Sequence, residues 1–417
     1  VMPRAAALDV FYGTEPMGTV HDTTPLGFEY APTWLQRADA FALCAIGLAP
    51  GRIDSPEVHA FFENLLPEGD LRAYMAQQRK ASTLFSLLLE VAGDTAGAFV
   101  LLPQGHRPEP PRYQRTTWKT LADTIRQQSA AAIQSQGGRT RISLAGAQDK
   151  ASIALLDGPE PWLPQGAAPS THILKPDIRR LPKVRDSAAN EAIVMRAAHH
   201  CGLNVAPVFY EPTTRACIVE RFDRVRQPDG SLRRLVQYDF CQLSGLGSER
   251  KYEKEGGPSL AACAALVRRY SARPALDLQA LAQWVLFNLY VGNNDSHAKN
   301  LSIYHRPGEG VRLTPFYDLM CTRIYPGLSD EFAFSLGGET RPGQFGGEHL
   351  EALAAQLGMG ARYVRGMAGE LAARVPEALN LGLEEVMPFL PASGQGLADR
   401  LAMKVKSITR RTVERFR

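Results

Sequence analysis

The sequence has 417 residues, 45% of them hydrophobic, which is enough to bury the core of two or three domains and excludes a disordered chain. Forty-seven Lys and Arg against 43 Asp and Glu leave a net charge of only +4, so overall charge does not indicate nucleic-acid binding. The six cysteines are scattered without a CxxC pair, which indicates neither a zinc site nor a disulfide framework.

The amino-terminal stretch and the apolar runs indicate a cytoplasmic protein. The first residues, VMPRAAALDVFYG, reach polar side chains before the apolar core of a signal peptide could form. No run reaches the roughly 18 apolar residues of a membrane span. We therefore expect a cytoplasmic location and no membrane partner.

Residues 1–105 are predicted to form a small α+β domain. LDVFYG, residues 8–13, is typical of a strand ended by a turn, and FFENLLPEG, residues 61–69, of a helix end followed by Pro and Gly. Residues 102–116 then carry four prolines and three arginines with little apolar periodicity. This composition suits a linker, which we place at 106–140.

Residues 141–235 are predicted to form strands around one helix. Residues 142–144, 151–156, 171–175 and 216–222 are typical of strands. The intervening helix is expected to have Ser187 as its N-cap, to run to His200 and to stop at Gly202. Residues 236–417 are predicted to be mainly helical.

One buried helix in this last segment is followed by an unusual polar loop. The apolar run from Leu281 to Val291 ends at Gly292, and NNDSHAKN follows before the chain turns apolar again at Leu301. Within this loop, Asp295 and Asn300 have the D-x-x-x-x-N spacing of a kinase catalytic loop, which supplies a base and a magnesium ligand. Downstream, LTPFYDL places Asp318 after a strand-like run. It is our candidate for a metal-binding carboxylate, and a turn or helix-cap Asp is the alternative.

Phosphoryl transfer also requires a cation on the nucleotide phosphates. Lys175 ends the strand THILK, and Glu191 lies in the first turn of the following helix, which is the order of a kinase lysine and its carboxylate partner. Upstream, SLAGAQDK stands where a phosphate-covering loop is expected. It fails as a G-x-G-x-x-G motif, but small residues let backbone N–H groups approach a phosphate, and Gln148 and Lys150 would add donors. An ordinary turn is the alternative.

His297 allows a different interpretation of the same loop. Asp295 and His297 form a D-x-H pair of the kind found in metallophosphoesterases, but such sites need further histidine clusters, and the other histidines do not provide them. We expect His297 to brace the loop by hydrogen bonding.

The order of these signals is kinase-like, and several motifs resemble the HipA family of serine/threonine kinase toxins. They are SLAGAQDK, THILKP, the helix with Asn190 and Glu191 followed by GLNVAP, VERFDR, KYEKEGGP, NDSHAKNLS and LTPFYDL, and the resemblance extends over the whole chain. It implies an α+β, two-lobed protein-kinase-like fold, with a small α+β amino-terminal domain and a mainly helical carboxy-terminal lobe. H-R-D and D-F-G motifs of ordinary protein kinases are absent from the sequence.

The resemblance implies a role for each matching position. Asp295 would be the catalytic base, and Asn300 and Asp318 would bind magnesium. Lys175 would bind the ATP phosphates, with Glu191 in support. The other nucleotide contacts would come from Ala145, Gly146, Ala147, Gln148, Lys150, Lys299 and the backbone of Glu220 and Phe222. Ser143 would be an autophosphorylation site, where added phosphate would repel ATP or expel the loop.

The resemblance also implies partners. Family members pair with a small helix-turn-helix antitoxin resembling HipB, contact operator DNA through it, and phosphorylate aminoacyl-tRNA synthetases, the glutamyl enzyme being our first expectation. The alternative hypothesis is a catalytically silent corepressor that binds such an antitoxin on operator DNA.

Overall fold

Strands are concentrated in the first 240 residues and long helices in the remainder. A computed structural model describes residues 7–66, 68, 72, 76, 81, 83–91, 95–127, 149–179 and 181–417. The strands are β1 (Ala7–Tyr12), β2 (Glu15–His21), β3 (Gly27–Tyr30), β4 (Arg52–Asp54), β5 (Phe99–Pro103), β6 (Arg112–Arg115), β7 (Ala151–Ile153), β8 (Trp162–Gln165), β9 (His172–Pro176), β10 (Val208–Glu211), β11 (Ala216–Glu220), β12 (Arg224–Arg226), β13 (Leu232–Arg234), β14 (Gln237–Asp239), β15 (Ser302–Arg306) and β16 (Gly310–Leu313). The α-helices are α1 (Pro32–Leu35), α2 (Pro56–Glu63), α3 (Leu84–Val91), α4 (Trp118–Gln127), α5 (Ser187–His200), α6 (Phe240–Leu243), α7 (Leu260–Tyr270), α8 (Pro274–Val291), α9 (Gly347–Leu357), α10 (Ala361–Val386) and α11 (Gln395–Phe416).

The chain divides into two compact units. The first comprises residues 1–174 and 221–248, and the second comprises residues 175–220 and 249–417. The division therefore falls inside β9, directly before Lys175, and again directly after Glu220. None of the helices in the described ranges is both long and apolar enough to cross a membrane.

The first unit contains an antiparallel sheet of order β4-β3-β2-β1-β5. β1 confirms the strand predicted from LDVFYG. The ring of Phe99, from β5 of this sheet, packs with the rings of Phe61 and Tyr238, and the three centroid distances are 6.0–6.2 Å. Since Tyr238 comes from β14, the segment 221–248 shares a core with the amino-terminal residues.

A buried ionic network joins the same two segments of the first unit. Arg221 donates to the carboxylate of Asp223 through two nitrogens, at 3.0 and 2.8 Å, and to the carbonyl of Thr95 at 2.9 Å. Arg224 donates to the carbonyl of Gly97 at 2.9 Å, while the Gly97 N–H donates to Asp223 at 2.8 Å. The two arginine cations lower the pKa of Asp223 against the opposing effect of its burial, which is the largest influence on it. VERFDR thus has a structural task that its sequence did not indicate.

Two elements lie in the stretch predicted to be a linker. β6 pairs with β8 in antiparallel register, Arg112 opposite Gln165, and α4 follows. Further along, β7 pairs with β9, Ala151 opposite Leu174.

In the second unit, β10 and β11 form a hairpin against which α5 packs, and α10 packs against α5. The predicted helix end is confirmed, since α5 stops at His200 and Gly202 has a φ of 86°. The predicted N-cap is wrong, because Asp186 holds that position. The hydroxyl of Ser187 instead accepts the N–H of Ile178 at 2.8 Å, and Asp177 accepts the N–H of Ala188 at 3.0 Å. A loop distant from the helix start thus supplies the cap.

The predicted buried helix before the polar loop is confirmed as α8. Its carboxy-terminal half is buried on all sides, which is typical of a helix enclosed by other elements. It packs against α7, α10 and α11. Gly292 ends it with a φ of 75°, a left-handed conformation that glycine adopts without strain.

Candidate active site

The loop after α8 is buried except at one position. Asn293, Asn294, Ser296, His297, Lys299 and Asn300 are all at most 6% exposed, whereas Asp295 is exposed. The Asn293 amide donates to Asn288 Oδ1 at 2.7 Å, and the Asn294 N–H donates to Thr322 Oγ1 at 2.9 Å. These bonds satisfy polar groups that burial would otherwise make costly. The loop therefore presents a single carboxylate to solvent.

The backbone of Asp295 is fixed from both sides of the loop. Its N–H donates to Asn293 Oδ1 at 3.2 Å, and its carbonyl accepts the N–H of His297 at 3.1 Å. The same carbonyl accepts Nδ2 of Asn300 at 3.0 Å. Because the Asn300 amide donates through its nitrogen, its oxygen is not used in this bond.

Lys175 lies between two carboxylates in the second unit. Its Nζ is 2.6 Å from Glu191 Oε1 and 2.7 Å from Asp318 Oδ1. The Lys175 and Glu191 side chains are 9% and 0% exposed, whereas Asp318 is 38% exposed. Burial alone would lower the pKa of Lys175, but the carboxylates of Asp318 and Glu191 together outweigh it and raise that pKa. The strand lysine and helix glutamate predicted from their order are thus in contact, and Asp318 joins them.

Asp318 has a φ of 60°, in the left-handed region that few residues other than glycine adopt. The segment after it is tied to α5 by Asn190, whose Oδ1 accepts the Cys321 N–H at 2.9 Å and whose Nδ2 donates to the Cys321 carbonyl at 3.0 Å. Asn190 therefore fixes the distance between Glu191, its neighbour on α5, and the chain that carries Asp318. The resemblance included the Asn190–Glu191 helix but implied no role for Asn190.

His297 lies inside the loop and is 5% exposed. Burial lowers the pKa of its imidazole well below the ordinary value, and the charge of Lys251 acts in the same direction. Its ring meets Tyr252 edge to face, with centroids 5.1 Å apart. Within the part of the chain that the structure describes, His297 Nδ1 has no hydrogen-bond partner.

Tyr252 is the residue of the site that sequence reasoning missed. Its hydroxyl donates to Asp295 Oδ1. It belongs to KYEKEGGP, a motif that the resemblance included without a role, and it lies far from Asp295 in sequence. The resemblance of this motif to the family was the available signal.

The other predicted nucleotide contacts lie in several places. Lys150 is buried directly before β7 in the first unit, and Phe222 lies in the same unit. Glu220 ends β11 in the second unit, where its N–H donates to the Pro207 carbonyl at 2.9 Å. The Lys299 carbonyl accepts the hydroxyl of Tyr317 at 2.8 Å. Ser143, Ala145, Gly146, Ala147 and Gln148 lie outside the described residues.

The donor set suits a hard cation. Asn300 and Asp318 offer an amide oxygen and a carboxylate, which are the ligand types that magnesium accepts. In the described ranges, no group of three or more His, Cys, Asp or Glu side chains is arranged to hold a metal.

Comparison with known proteins gives a consistent result. Residues 142–379 match the family model of the HipA-like C-terminal domain, and residues 8–102 match that of the HipA N-terminal domain. The chain is 37% identical to the putative kinase Y4mE of Sinorhizobium fredii, over 92% of this chain and 93% of that protein. It is 29% identical to the serine/threonine-protein kinase toxin HipA of Shewanella oneidensis, over 92% of this chain and 88% of that protein.

A solved structure supports the same assignment. A chain of the Shewanella oneidensis complex of HipA, HipB and operator DNA matches with a TM-score of 0.80 at 27% identity, covering 98% of this chain and 96% of that one. The predicted resemblance and the predicted α+β fold class are confirmed.

Proposed function

Because the chain belongs to the HipA family, we propose that it is a serine/threonine protein kinase that uses ATP and magnesium and acts as the toxin of a toxin–antitoxin pair. The observation that carries this proposal is the contact of Lys175 with both Glu191 and Asp318. A silent protein has no need to bury a cation between two carboxylates, since removing charges from water is costly. This arrangement speaks against the corepressor alternative and favours phosphoryl transfer.

Each side chain has a task in that reaction. Lys175 binds the ATP phosphates, and Glu191 holds its ammonium in place from the buried side. Asn300 and Asp318 hold magnesium, which when bound neutralises charge on the transferring phosphoryl group. Lys150, Lys299, the backbone of Glu220 and Phe222, and the loop containing Ala145, Gly146, Ala147 and Gln148 complete the nucleotide site.

Asp295 acts as the base toward the protein substrate. It is the exposed carboxylate of an otherwise buried loop, so a serine or threonine hydroxyl can reach it from solvent. As the oxygen–phosphorus bond forms, the hydroxyl proton passes to the carboxylate and ADP leaves. The metallophosphoesterase alternative has no comparable support, since that chemistry requires a cluster of metal ligands.

The partners follow from the family. We propose a HipB-like helix-turn-helix antitoxin, contact with operator DNA through that antitoxin, and an aminoacyl-tRNA synthetase, the glutamyl type first, as the substrate. The relative solved with HipB and operator DNA supports the first two. We also propose that Ser143 is autophosphorylated and that the protein is cytoplasmic. In the proposed domain organisation, a linker is followed by the two lobes of the kinase, at 141–235 and 236–417.

The test is incubation of the purified protein with labelled ATP and magnesium, followed by mapping of the incorporated phosphate by mass spectrometry. We expect phosphate on Ser143 in the wild-type protein and none in Asp295→Asn. Asp399→Asn, which changes an exposed carboxylate on α11, is the matched control and should behave like the wild type. Equal labelling of Asp295→Asn would refute the assignment of the base. ATP binding without any labelling, even with glutamyl-tRNA synthetase present, would favour the corepressor.

A further inference from the structure

The segment KYEKEGGP, residues 251–258, lies against the catalytic loop and has no role in the mechanism above. Tyr252 donates its hydroxyl to Asp295 Oδ1, and its ring packs edge to face on His297. The carbonyl of the preceding residue, Lys251, accepts the N–H of Ala298 at 3.2 Å. Two successive residues of this segment therefore contact the loop at the proposed base and at His297 and Ala298, which follow it.

Tyr252 is held in place independently of Asp295. Its carbonyl accepts the N–H groups of Glu255 and Gly257, each at 3.0 Å, which closes a tight turn. A Cβ at Gly257 would lie 2.3 Å from the Arg250 carbonyl oxygen and 2.7 Å from that of Tyr252, so this turn requires glycine. Glu253 fastens the segment further by accepting the Ser335 N–H at 2.8 Å. The backbone thus fixes where the Tyr252 side chain begins, and the contact of its ring with His297 restrains the side chain beyond that point.

Asp295 needs such a fixed donor. Its backbone is fixed by the loop, but an exposed carboxylate can still rotate about its side-chain bonds, and a base must point at the proton that it accepts. We propose that Tyr252 is a positioning residue of the kinase, whose hydroxyl binds one carboxylate oxygen of Asp295 and thereby turns the other toward the hydroxyl of a serine or threonine substrate. This proposal rests on the proposed function, because it presumes that Asp295 is the base.

A gate that blocks the substrate is the competing role for Tyr252. A gating tyrosine would have to leave Asp295 when substrate binds. The bonds of Lys251 to Ala298 and of Glu253 to Ser335 oppose that movement, because both would have to break for the segment to withdraw. The anchored segment therefore favours positioning.

The test is Tyr252→Phe, which removes the hydroxyl and keeps the ring against His297. The assay is the initial rate of label transfer from magnesium ATP to the protein itself and to myelin basic protein, a generic acceptor, over a range of ATP and acceptor concentrations. We expect kcat to fall about 10- to 100-fold, the effect of losing a hydrogen bond to a charged group. The KM for ATP should stay within about twofold and the melting temperature should be unchanged. Tyr363→Phe, at an exposed tyrosine on α10, is the matched control and should keep wild-type kinetics.

Comparison with Asp295→Asn separates the two levels of the proposal. If Asp295→Asn is inactive while Tyr252→Phe keeps its kcat or exceeds that of the wild type, Tyr252 does not position the base and the proposed kinase function stands. A raised KM for ATP with unchanged kcat would also overturn the positioning role. If Asp295→Asn keeps full activity, the assignment of the base fails and the role of Tyr252 fails with it.

Discussion

Replacing Lys175 with methionine should separate what this residue contributes to stability from what it contributes to activity. Methionine fills a similar volume, so little cavity is created and the main change is loss of the cation that Glu191 and Asp318 both contact. Glu191 is fully buried, and removing one partner of a buried ion pair costs about 3–5 kcal/mol. Asp318 is 38% exposed, so losing its pair adds at most about 1 kcal/mol. We therefore expect Lys175→Met to lower the free energy of unfolding by about 3 kcal/mol or more. We also expect it to reduce the rate of phosphoryl transfer at least about 100-fold.

The double variant Lys175→Met, Glu191→Gln is the decisive comparison. It removes the buried carboxylate along with its cation and should recover about 2 kcal/mol of the lost stability while staying inactive. Urea denaturation followed by far-ultraviolet circular dichroism measures the first quantity, and label transfer from ATP the second. Because the pKa of Lys175 is raised above its ordinary 10.5, its stabilising effect is fully present below that value and is lost only in stronger alkali. Titration of Lys175 itself should therefore add no pH dependence to the stability of the wild type between about pH 6 and 9. A single variant as stable as the wild type, or a double variant no more stable than the single one, would refute the reasoning.

Three further predictions concern stability and are measured by calorimetry. Asp223→Ala leaves two buried arginines without their carboxylate and should lower the free energy of unfolding by about 3–5 kcal/mol. The control Asp157→Ala, at an exposed site of the same unit, should leave it almost unchanged. Similar losses in both variants would contradict a stabilising role for the network. Burial lowers the pKa of His172 to about 4, so its neutral form contributes stability that is present above its ordinary 6.5 and lost as the pH falls toward 4. Between pH 7.5 and 5.5 the free energy of unfolding should fall by about 1.3 kcal/mol because of this residue. A His172→Gln protein with the same pH dependence as the wild type would exclude His172 as the cause. Gly292→Ala should lower the free energy of unfolding by about 2 kcal/mol or more, because alanine is strained at a φ of 75° and its Cβ would lie 2.6 Å from Ile408. An unchanged melting temperature would contradict this strain.

Local signals predicted the elements that local physics determines. The apolar run ending at Gly292 was sufficient to predict the carboxy-terminal half of α8. A buried helix and the glycine that ends it both have signals in the same short stretch of sequence. The N-cap at Ser187 failed because the N–H of Ala188 donates to Asp177 in the preceding loop, and such a contact leaves no trace in the helix sequence. The same holds for the network around Asp223, which joins residues more than a hundred positions apart.

The candidate site could be predicted only in part for the same reason. The order of Lys175, Glu191 and Asp318 along the chain suggested a kinase, but order does not reveal that one ammonium contacts both carboxylates. Tyr252 was missed because its contact with Asp295 depends on the turn from Tyr252 to Gly257. Only the structure shows that this turn requires glycine, since a Cβ at Gly257 would lie 2.7 Å from the Tyr252 carbonyl oxygen. Sequence patterns therefore identified the charged groups, and the structure added the residues that contact them or the adjoining backbone.

The polar loop after α8 shows why composition alone overstates the number of catalytic residues. Asn293 and Asn294 are buried, and their hydrogen bonds to Asn288 and Thr322 connect the end of a helix with the segment after Asp318. Such amides bear no charge, so they can be buried at a cost that hydrogen bonds offset, whereas a buried carboxylate would need a cation. The loop is polar mainly because its backbone turns inside the protein where polar groups need partners. Exposure, rather than polarity, distinguishes Asp295 from its neighbours, and it is the property that a base for a protein substrate requires.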